Sequence, residues 1–166
     1  IKFLRREVVR MSTINTVVVK NLSKSYGNFL AINKINFSVE KGTIHGLLGE
    51  NGAGKTTTMR CLLGLSYSDY GEMYINQEKI SKKNHNIRRN TAYLAGDFRP
   101  YENIKPIEYF KYILKLENNK SDRYLELSEL FKLDLNKKIK ELSKGNKQEV
   151  GIVQAFMRNS DILILD

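Results

Sequence analysis

Two short apolar runs, Thr43-Ile44-His45-Gly46-Leu47-Leu48 and Asp161-Ile162-Leu163-Ile164-Leu165-Asp166, read as buried strands, the second ending in a carboxylate. Strands are also expected at Thr16 to Lys20, Ile32 to Val39 and Thr91 to Leu94, with a hairpin-like piece around Gly71-Glu72-Met73-Tyr74-Ile75-Asn76. Helical spacing predicts Thr57-Thr58-Met59-Arg60-Cys61-Leu62-Leu63 as a helix, a helical region from Pro106 to about Leu133, and a last helix carrying Val150, Val153 and Met157. Pro106 suits a first helical turn, and Ile107, Phe110 and Leu114 with Tyr109, Ile113 and Leu116 give a wide apolar face. The chain therefore runs from a strand-rich entry, Thr16 to Leu48, into an alternation of strands and helices. No internal repeat or low-complexity segment interrupts it.

Between the first apolar run and the first helix lies Gly49-Glu50-Asn51-Gly52-Ala53-Gly54-Lys55-Thr56, followed by Thr57. A glycine-rich loop between a strand and a helix lets backbone N–H groups close around the α- and β-phosphates of a nucleotide, and the helix dipole favours the negative charge. Lys55 is placed to reach the β/γ oxygens, and the Thr56 hydroxyl to ligate Mg²⁺. From background residue usage an accidental match in a chain this long has odds on the order of 1%, so the loop is read as a nucleotide site.

A second anion site is written further on. Leu142-Ser143-Lys144-Gly145-Asn146-Lys147-Gln148 opens the last helix, where Ser143 and Gly145 supply a hydroxyl, free N–H groups and a dipole. Ser-x-Gly before a helix is also an ordinary N-cap arrangement. The order of the two loops and the closing strand resembles the nucleotide-binding domain of ATP-binding cassette (ABC) transporters, from about Val17 to Asp166.

The resemblance implies an α/β fold, a P-loop NTPase of the ABC type, with a central sheet, an N-terminal antiparallel β part and a helical subdomain at about 98–150. It makes Gly49 to Thr56 the Walker A motif, with Gly49, Asn51, Gly52, Ala53, Gly54, Lys55, Thr56 and Thr57 binding ATP. It makes Leu142 to Gln148 a variant of the signature motif and Asp166 the Walker B aspartate, sharing Mg²⁺ with Thr56. Lys55 and Asp166 are the catalytic candidates. In the family one subunit's signature, here Ser143 and Gly145, covers the γ-phosphate on the other's Walker A loop, so a second nucleotide-binding domain is an expected partner. Tyr26, in Asn21-Leu22-Ser23-Lys24-Ser25-Tyr26-Gly27 between the first two strands, stands where the family stacks an aromatic on adenine; a turn tyrosine packed on the sheet is the alternative. In Ala92-Tyr93-Leu94-Ala95-Gly96-Asp97-Phe98 the usual glutamine is replaced by Gly96. Either Asp97, one residue on, approaches the metal, or the loop serves as a hinge.

Composition adds bounds. The net charge is +10, of which residues 1–10 contribute +3 from Lys2, Arg5, Arg6 and Arg10 against Glu7. No basic stripe interleaved with aromatics is present, so no nucleic-acid partner is expected. Cys61, the single cysteine, falls among apolar residues of the first helix and is expected in the core of a protein from a reducing compartment. His45 and His85 show no metal-ligand spacing. No stretch approaches the about 18 apolar residues needed to span a bilayer, so membrane attachment is expected through a transmembrane permease subunit at the cytoplasmic face. The aromatic and apolar residues of Phe98-Arg99-Pro100-Tyr101-Glu102-Asn103-Ile104 are expected to be covered, in the family by that permease.

The chain begins at Ile1 and stops at Asp166 in mid-motif. The expectation is an N-terminal fragment with 1–10 as an upstream extension, Met11 as the start, and 11–166 as the incomplete domain. Such a fragment alone is expected to be inactive, because the family's catalytic glutamate and switch histidine lie beyond the matched positions. The Ser-Lys-Gly-Asn-Lys-Gln form of the signature resembles exporter-associated subunits of the multidrug or antimicrobial-peptide resistance type. A soluble ABC ATPase acting on ribosomes or DNA, and an inert gene remnant, are the competing expectations.

Overall fold

A computed structural model of the chain describes residues 2–4, 15–84 and 89–166. The expected start at Met11, most of the 1–10 extension and His85 lie outside the described residues. The chain forms two compact units, Ile1–Arg89 and Asn90–Asp166.

In the first unit, β1 (Lys2–Leu4) pairs antiparallel with β4 (Gly46–Leu48). A four-stranded antiparallel sheet has the order β3-β2-β5-β6, with β2 Asn15–Tyr26, β3 Phe29–Glu40, β5 Tyr70–Ile75 and β6 Glu78–Lys79. Val17 and Val19 of β2 point into the core at the two-residue period of a strand, yet the next core residue is Leu22, three positions on. A bulge explains the slip: Val19 pairs Phe37 while Leu22 pairs Ile35. Asn21, at φ 49°, takes the bulged conformation, held by Asn36, whose Oδ1 accepts its N–H at 2.8 Å and whose Nδ2 donates to its Oδ1 at 3.1 Å. The segment Asn21 to Tyr26, expected as a connection between strands, is thus the far half of β2, because bulges erase the alternation by which a strand is read. The β5–β6 hairpin turns on Asn76 and Gln77, both at positive φ, the signature of a tight primed turn.

Helix α1 (Lys55–Leu62) buries Thr58, Cys61 and Leu62, so the lone cysteine sits in the core as expected, where burial pushes its thiol pKa up. Left-handed Gly64 closes the helix, with Leu65 N–H returning to the Arg60 carbonyl at 2.9 Å.

In the second unit β7 (Thr91–Leu94) pairs parallel with β8 (Ile162–Leu165). Helices α2 (Pro106–Leu116), α3 (Arg123–Leu130) and α4 (Lys144–Phe156), with a 3-10 turn at Ile139–Glu141, complete it. The expected helical region breaks after Leu116, where Asn118 turns left-handed at φ 51°. Pro106 opens α2, and Glu108 Oε2 accepts the Lys105 N–H at 3.0 Å to cap it. The core gathers Tyr109, Phe110 and Leu114 of α2, Tyr124 and Leu127 of α3, and Val150, Val153 and Met157. Burial pushes the Tyr109 phenol up to about 12, and its hydroxyl donates to Gln154 on α4. Leu116, expected on the apolar face, is exposed instead, at the end of the helix.

The two apolar runs are less covered than their composition predicts. Ile44 is 97% exposed and Leu48 is exposed on β4, while β8 is only half-buried along its length with Leu165 exposed. Among the described residues β4 pairs only with β1, and β8 only with β7. A strand's faces are buried by layers packed on the sheet rather than by its hydrogen-bonded partner, and Ile44, Leu48 and Leu165 are without such cover, so the expectation of buried strands fails at these residues.

Candidate functional site

The loop after β4 turns on Gly52 at φ 84° and Gly54 at φ 85°. At Gly54 a glycine is required twice over, since a Cβ there would also lie 2.4 Å from the Ala31 carbonyl oxygen. Gly52 differs: its Cβ would meet nothing within 4 Å, so the loop is open on that side. The expected helix at Thr57 begins earlier, at Lys55, with Gly54 as N-cap, and no acidic residue occupies its first turn. Thr58 N–H and its hydroxyl both reach the Gly54 carbonyl at 2.8 Å, fixing that first turn. The N–H groups of Lys55, Thr56 and Thr57 head the helix, where no intrahelical carbonyl precedes them.

Lys55 folds back across the loop. Its Nζ donates to the Gly49 carbonyl at 2.7 Å and to the Glu50 carbonyl at 2.8 Å, while Ala53 N–H donates to Glu50 O at 3.1 Å. The loop thus brings the Lys55 ammonium to the start of α1, beside the N–H groups of the first helical turn. This donor set fits a polyphosphate, which needs convergent positive charge and hydrogen-bond donors. Among the described residues no three His, Cys, Asp or Glu side chains gather as metal ligands. A divalent cation at this loop would accordingly draw much of its coordination from phosphate oxygens and water, as Mg²⁺ does at phosphate sites.

Tyr26 ends β2 before the two-residue turn Gly27-Asn28 and is 49% exposed. Its hydroxyl lies 3.3 Å from Ser66 Oγ, and Lys24 Nζ sits over the ring at 5.3 Å from its centre. Asp69 supports this end of the strand: it accepts the Ser25 N–H at 2.6 Å and the Lys24 ammonium at 3.0 Å. The Ser25 N–H first, and then Lys24, hold the Asp69 carboxyl below its ordinary value, and the bond to Asp69 raises Lys24. Neither Lys24 nor Asp69 is marked by the sequence pattern, because the pairing spans 45 residues with no motif joining them.

The other expected residues lie in the second unit. Ser143 caps α4, its Oγ accepting the Asn146 N–H at 3.2 Å and donating to the Asn146 side-chain oxygen. The ordinary cap geometry is therefore present. Gly145 in the first turn leaves the space beside it open, since the nearest atom to an added Cβ is Ser143 Oγ at 3.8 Å. Lys147, one turn along, pairs with Glu102 at 2.8 Å, and Lys140 N–H reaches the Glu102 carbonyl at 2.9 Å, so the segment before α2 is tied to the start of α4. Within that segment Phe98 and Ile104 pack on the unit's own core, whereas Tyr101 is exposed. Asp166 follows β8, with its N–H on the Leu94 carbonyl at 3.0 Å and its carboxylate accepting from the Tyr93 phenol. Gly96 lies against it, a Cβ there falling 3.3 Å from the Asp166 carbonyl oxygen, and Asp97 is exposed on the turn closed by Phe98 N–H to Ala95 O at 3.1 Å. Gly151 of α4 was not singled out by sequence; a Cβ there would come within 2.7 Å of Leu94 and Phe98, so it sets how closely α4 meets β7.

A lysine folded over loop carbonyls at a glycine-capped helix start is the construction of a P-loop. The chain belongs to the ABC transporter family: residues 32–166 match the family described as ABC transporter. It is 34% identical to the bacitracin transport ATP-binding protein BcrA of Enterococcus faecalis over 90% of this chain and 50% of that protein. To the galactose/methyl galactoside import ATP-binding protein MglA of Clostridium perfringens it is 32% identical, over 92% of this chain and 32% of that protein. The chain thus spans about half or less of the length of these curated relatives. Among solved structures, a dimeric ATP-binding cassette bound to ADP and Pi aligns at 25% identity with a TM-score of 0.78, covering 90% of this chain and 73% of that one. The P-loop ABC ATPase fold implied by the motifs is therefore the fold of this chain.

Proposed function

We propose that this chain is the ATP-binding part of a transport ATPase that hydrolyses ATP as a head-to-tail dimer and drives a transmembrane permease subunit from the cytoplasmic face of the membrane. The observation that carries the reading is the Lys55 ammonium, held 2.7 and 2.8 Å from two loop carbonyls at the head of α1. A nucleotide's phosphates have oxygens that can exchange for those carbonyls, and the anionic ligand gains more from the charge.

In this reading Gly49, Asn51, Gly52, Ala53, Gly54, Thr56 and Thr57 line the phosphates, and Tyr26 offers its exposed ring to the adenine. Thr56 would ligate Mg²⁺ and Asp166 stands at the family's Walker B position; the metal, when bound, would supply charge neutralisation of the transferring phosphoryl group. Ser143 and Gly145 close the partner domain's site. Chemistry then amounts to positioning and electrostatic stabilisation. Export is the favoured direction, supported by the exporter-like form of the signature at Ser143 to Gln148; the likeness to a sugar import protein makes direction the finer part of the proposal.

The test is nucleotide-dependent stabilisation. ATP with Mg²⁺ should raise the melting temperature of the protein, and Lys55→Ala should abolish the rise. An equal rise in the variant would exclude the loop as the phosphate site.

A further inference from the structure

The segment between α1 and β5 grips the end of β2 at four points. Asp69 N–H donates to the Ser23 carbonyl at 3.0 Å, Asp69 Oδ2 accepts the Ser25 N–H at 2.6 Å, Asp69 Oδ1 accepts the Lys24 ammonium at 3.0 Å, and Ser66 Oγ meets the Tyr26 hydroxyl at 3.3 Å. Three of the four fix Ser23, Lys24 and Ser25, the residues leading into Tyr26, and the fourth meets its hydroxyl, yet Tyr26 is half exposed. A core tyrosine is held by apolar packing. This one has a polar contact at its hydroxyl and an ammonium over its ring, the ammonium itself being held by Asp69. Such a support fixes the orientation of a flat surface while covering at most one of its faces.

We infer that Asp69 and Lys24 are positioning residues for the base of a nucleoside triphosphate: they set the Tyr26 ring as a rigid platform on which a purine stacks. The inference rests on the reading of the Gly49–Thr56 loop as the triphosphate site. Stacking loses less conformational freedom when the platform is ordered before the ligand arrives. Lys24 already covers one face, so the base takes the opposite one. Stacking reads no base edges and is tolerant of base identity, so ATP and GTP should bind with similar affinity.

The experiment separates the base from the phosphates. Affinities for ATP and for inorganic tripolyphosphate are measured by calorimetry on the wild-type protein and on Tyr26→Ala, Asp69→Ala, Asp69→Asn and Lys24→Met. Tyr26→Ala and Asp69→Ala should each weaken ATP by about five- to tenfold and leave tripolyphosphate unchanged. Asp69→Asn, which keeps an acceptor for Ser25 N–H, should recover part of the loss. If Asp69→Ala fails to fold, Asp69→Asn and Lys24→Met carry the same comparison. Weakening of both ligands alike would overturn the inference, since it would reveal a general structural role. So would wild-type ATP affinity in the Asp69 and Lys24 variants alongside a loss in Tyr26→Ala. A wild-type protein that binds neither ligand would instead remove the phosphate-loop reading beneath it.

Discussion

The Tyr93 phenol donates to the Asp166 carboxylate at 3.3 Å, joining the two parallel strands β7 and β8 just where the backbone of Asp166 passes Gly96. One carboxylate oxygen therefore has a fixed neighbour. Tyr93→Phe removes that donor while keeping the ring. A typical hydrogen bond to a charged group contributes about 1.5–3 kcal/mol, and this long, exposed one belongs at or below the low end. In the assembled transporter Tyr93→Phe should reduce ATP hydrolysis by about two- to tenfold with nucleotide affinity unchanged. Wild-type turnover would show that the carboxylate is oriented by other contacts.

Gly52 and Gly54 share a left-handed backbone and differ in their surroundings, so alanine should separate them. Both substitutions carry the left-handed penalty of about 1 kcal/mol. Gly54→Ala additionally drives a methyl to 2.4 Å from the Ala31 carbonyl oxygen, whereas Gly52→Ala enters open space. Urea denaturation should show Gly54→Ala destabilised by at least about 2 kcal/mol more than Gly52→Ala. Equal midpoints would mean that β3 moves aside at no cost.

The exposed turn at Gly96 and Asp97 gives opposite outcomes under the two readings of this loop. If Asp97 meets the metal, Asp97→Asn should shift the Mg²⁺ dependence of hydrolysis to higher concentration in the complete transporter. If the loop is a hinge, Asp97→Asn should be silent and Gly96→Val damaging. A branched side chain at Gly96 would also crowd the Asp166 backbone, 3.3 Å from an added Cβ, so Asp97→Asn is the variant that decides between the two readings. A superimposable Asp97→Asn curve would retire the metal contact.

Acid titration should report the Asp69 clamp. Its carboxyl lies below the ordinary 3.8, so the stabilisation it gives is present above that value and lost as pH falls through the depressed folded value. Lys24, raised above 10.5, stays charged throughout this range. The melting difference between wild type and Asp69→Asn should be flat from about pH 5 to 8 and shrink below about pH 4. A difference that persists undiminished at about pH 2 would assign it to the amide's geometry rather than to charge.

The phosphate loop was legible because its chemistry is local: eight consecutive residues dictate the turn, the lysine and the helix start. Pro106 and the helical spacing of Phe110, Leu114, Val150 and Val153 likewise carry their own periodicity into the core. What escaped were relationships across distance. The reach of β2 to Tyr26 is hidden by bulges that break the alternation, and the Lys24–Asp69 pairing joins residues with no shared motif. Ile44, Leu48 and Leu165 have the composition of buried residues, but burial depends on what lies beside a strand. Composition cannot count neighbours.

The bulge at Asn21 also bears on how this chain can change length. Between Val19 and Leu22 β2 carries one residue more than β3, and between Lys20 and Ser23 one more than β5. Elsewhere in a strand, losing one residue turns every later side chain to the opposite face. At Asn21 the surplus is what interrupts the alternation, so a deletion there would restore the two-residue rhythm and keep Leu22 facing inward. Length variation among homologous chains should therefore be tolerated at this point and excluded from the Val17 to Val19 stretch.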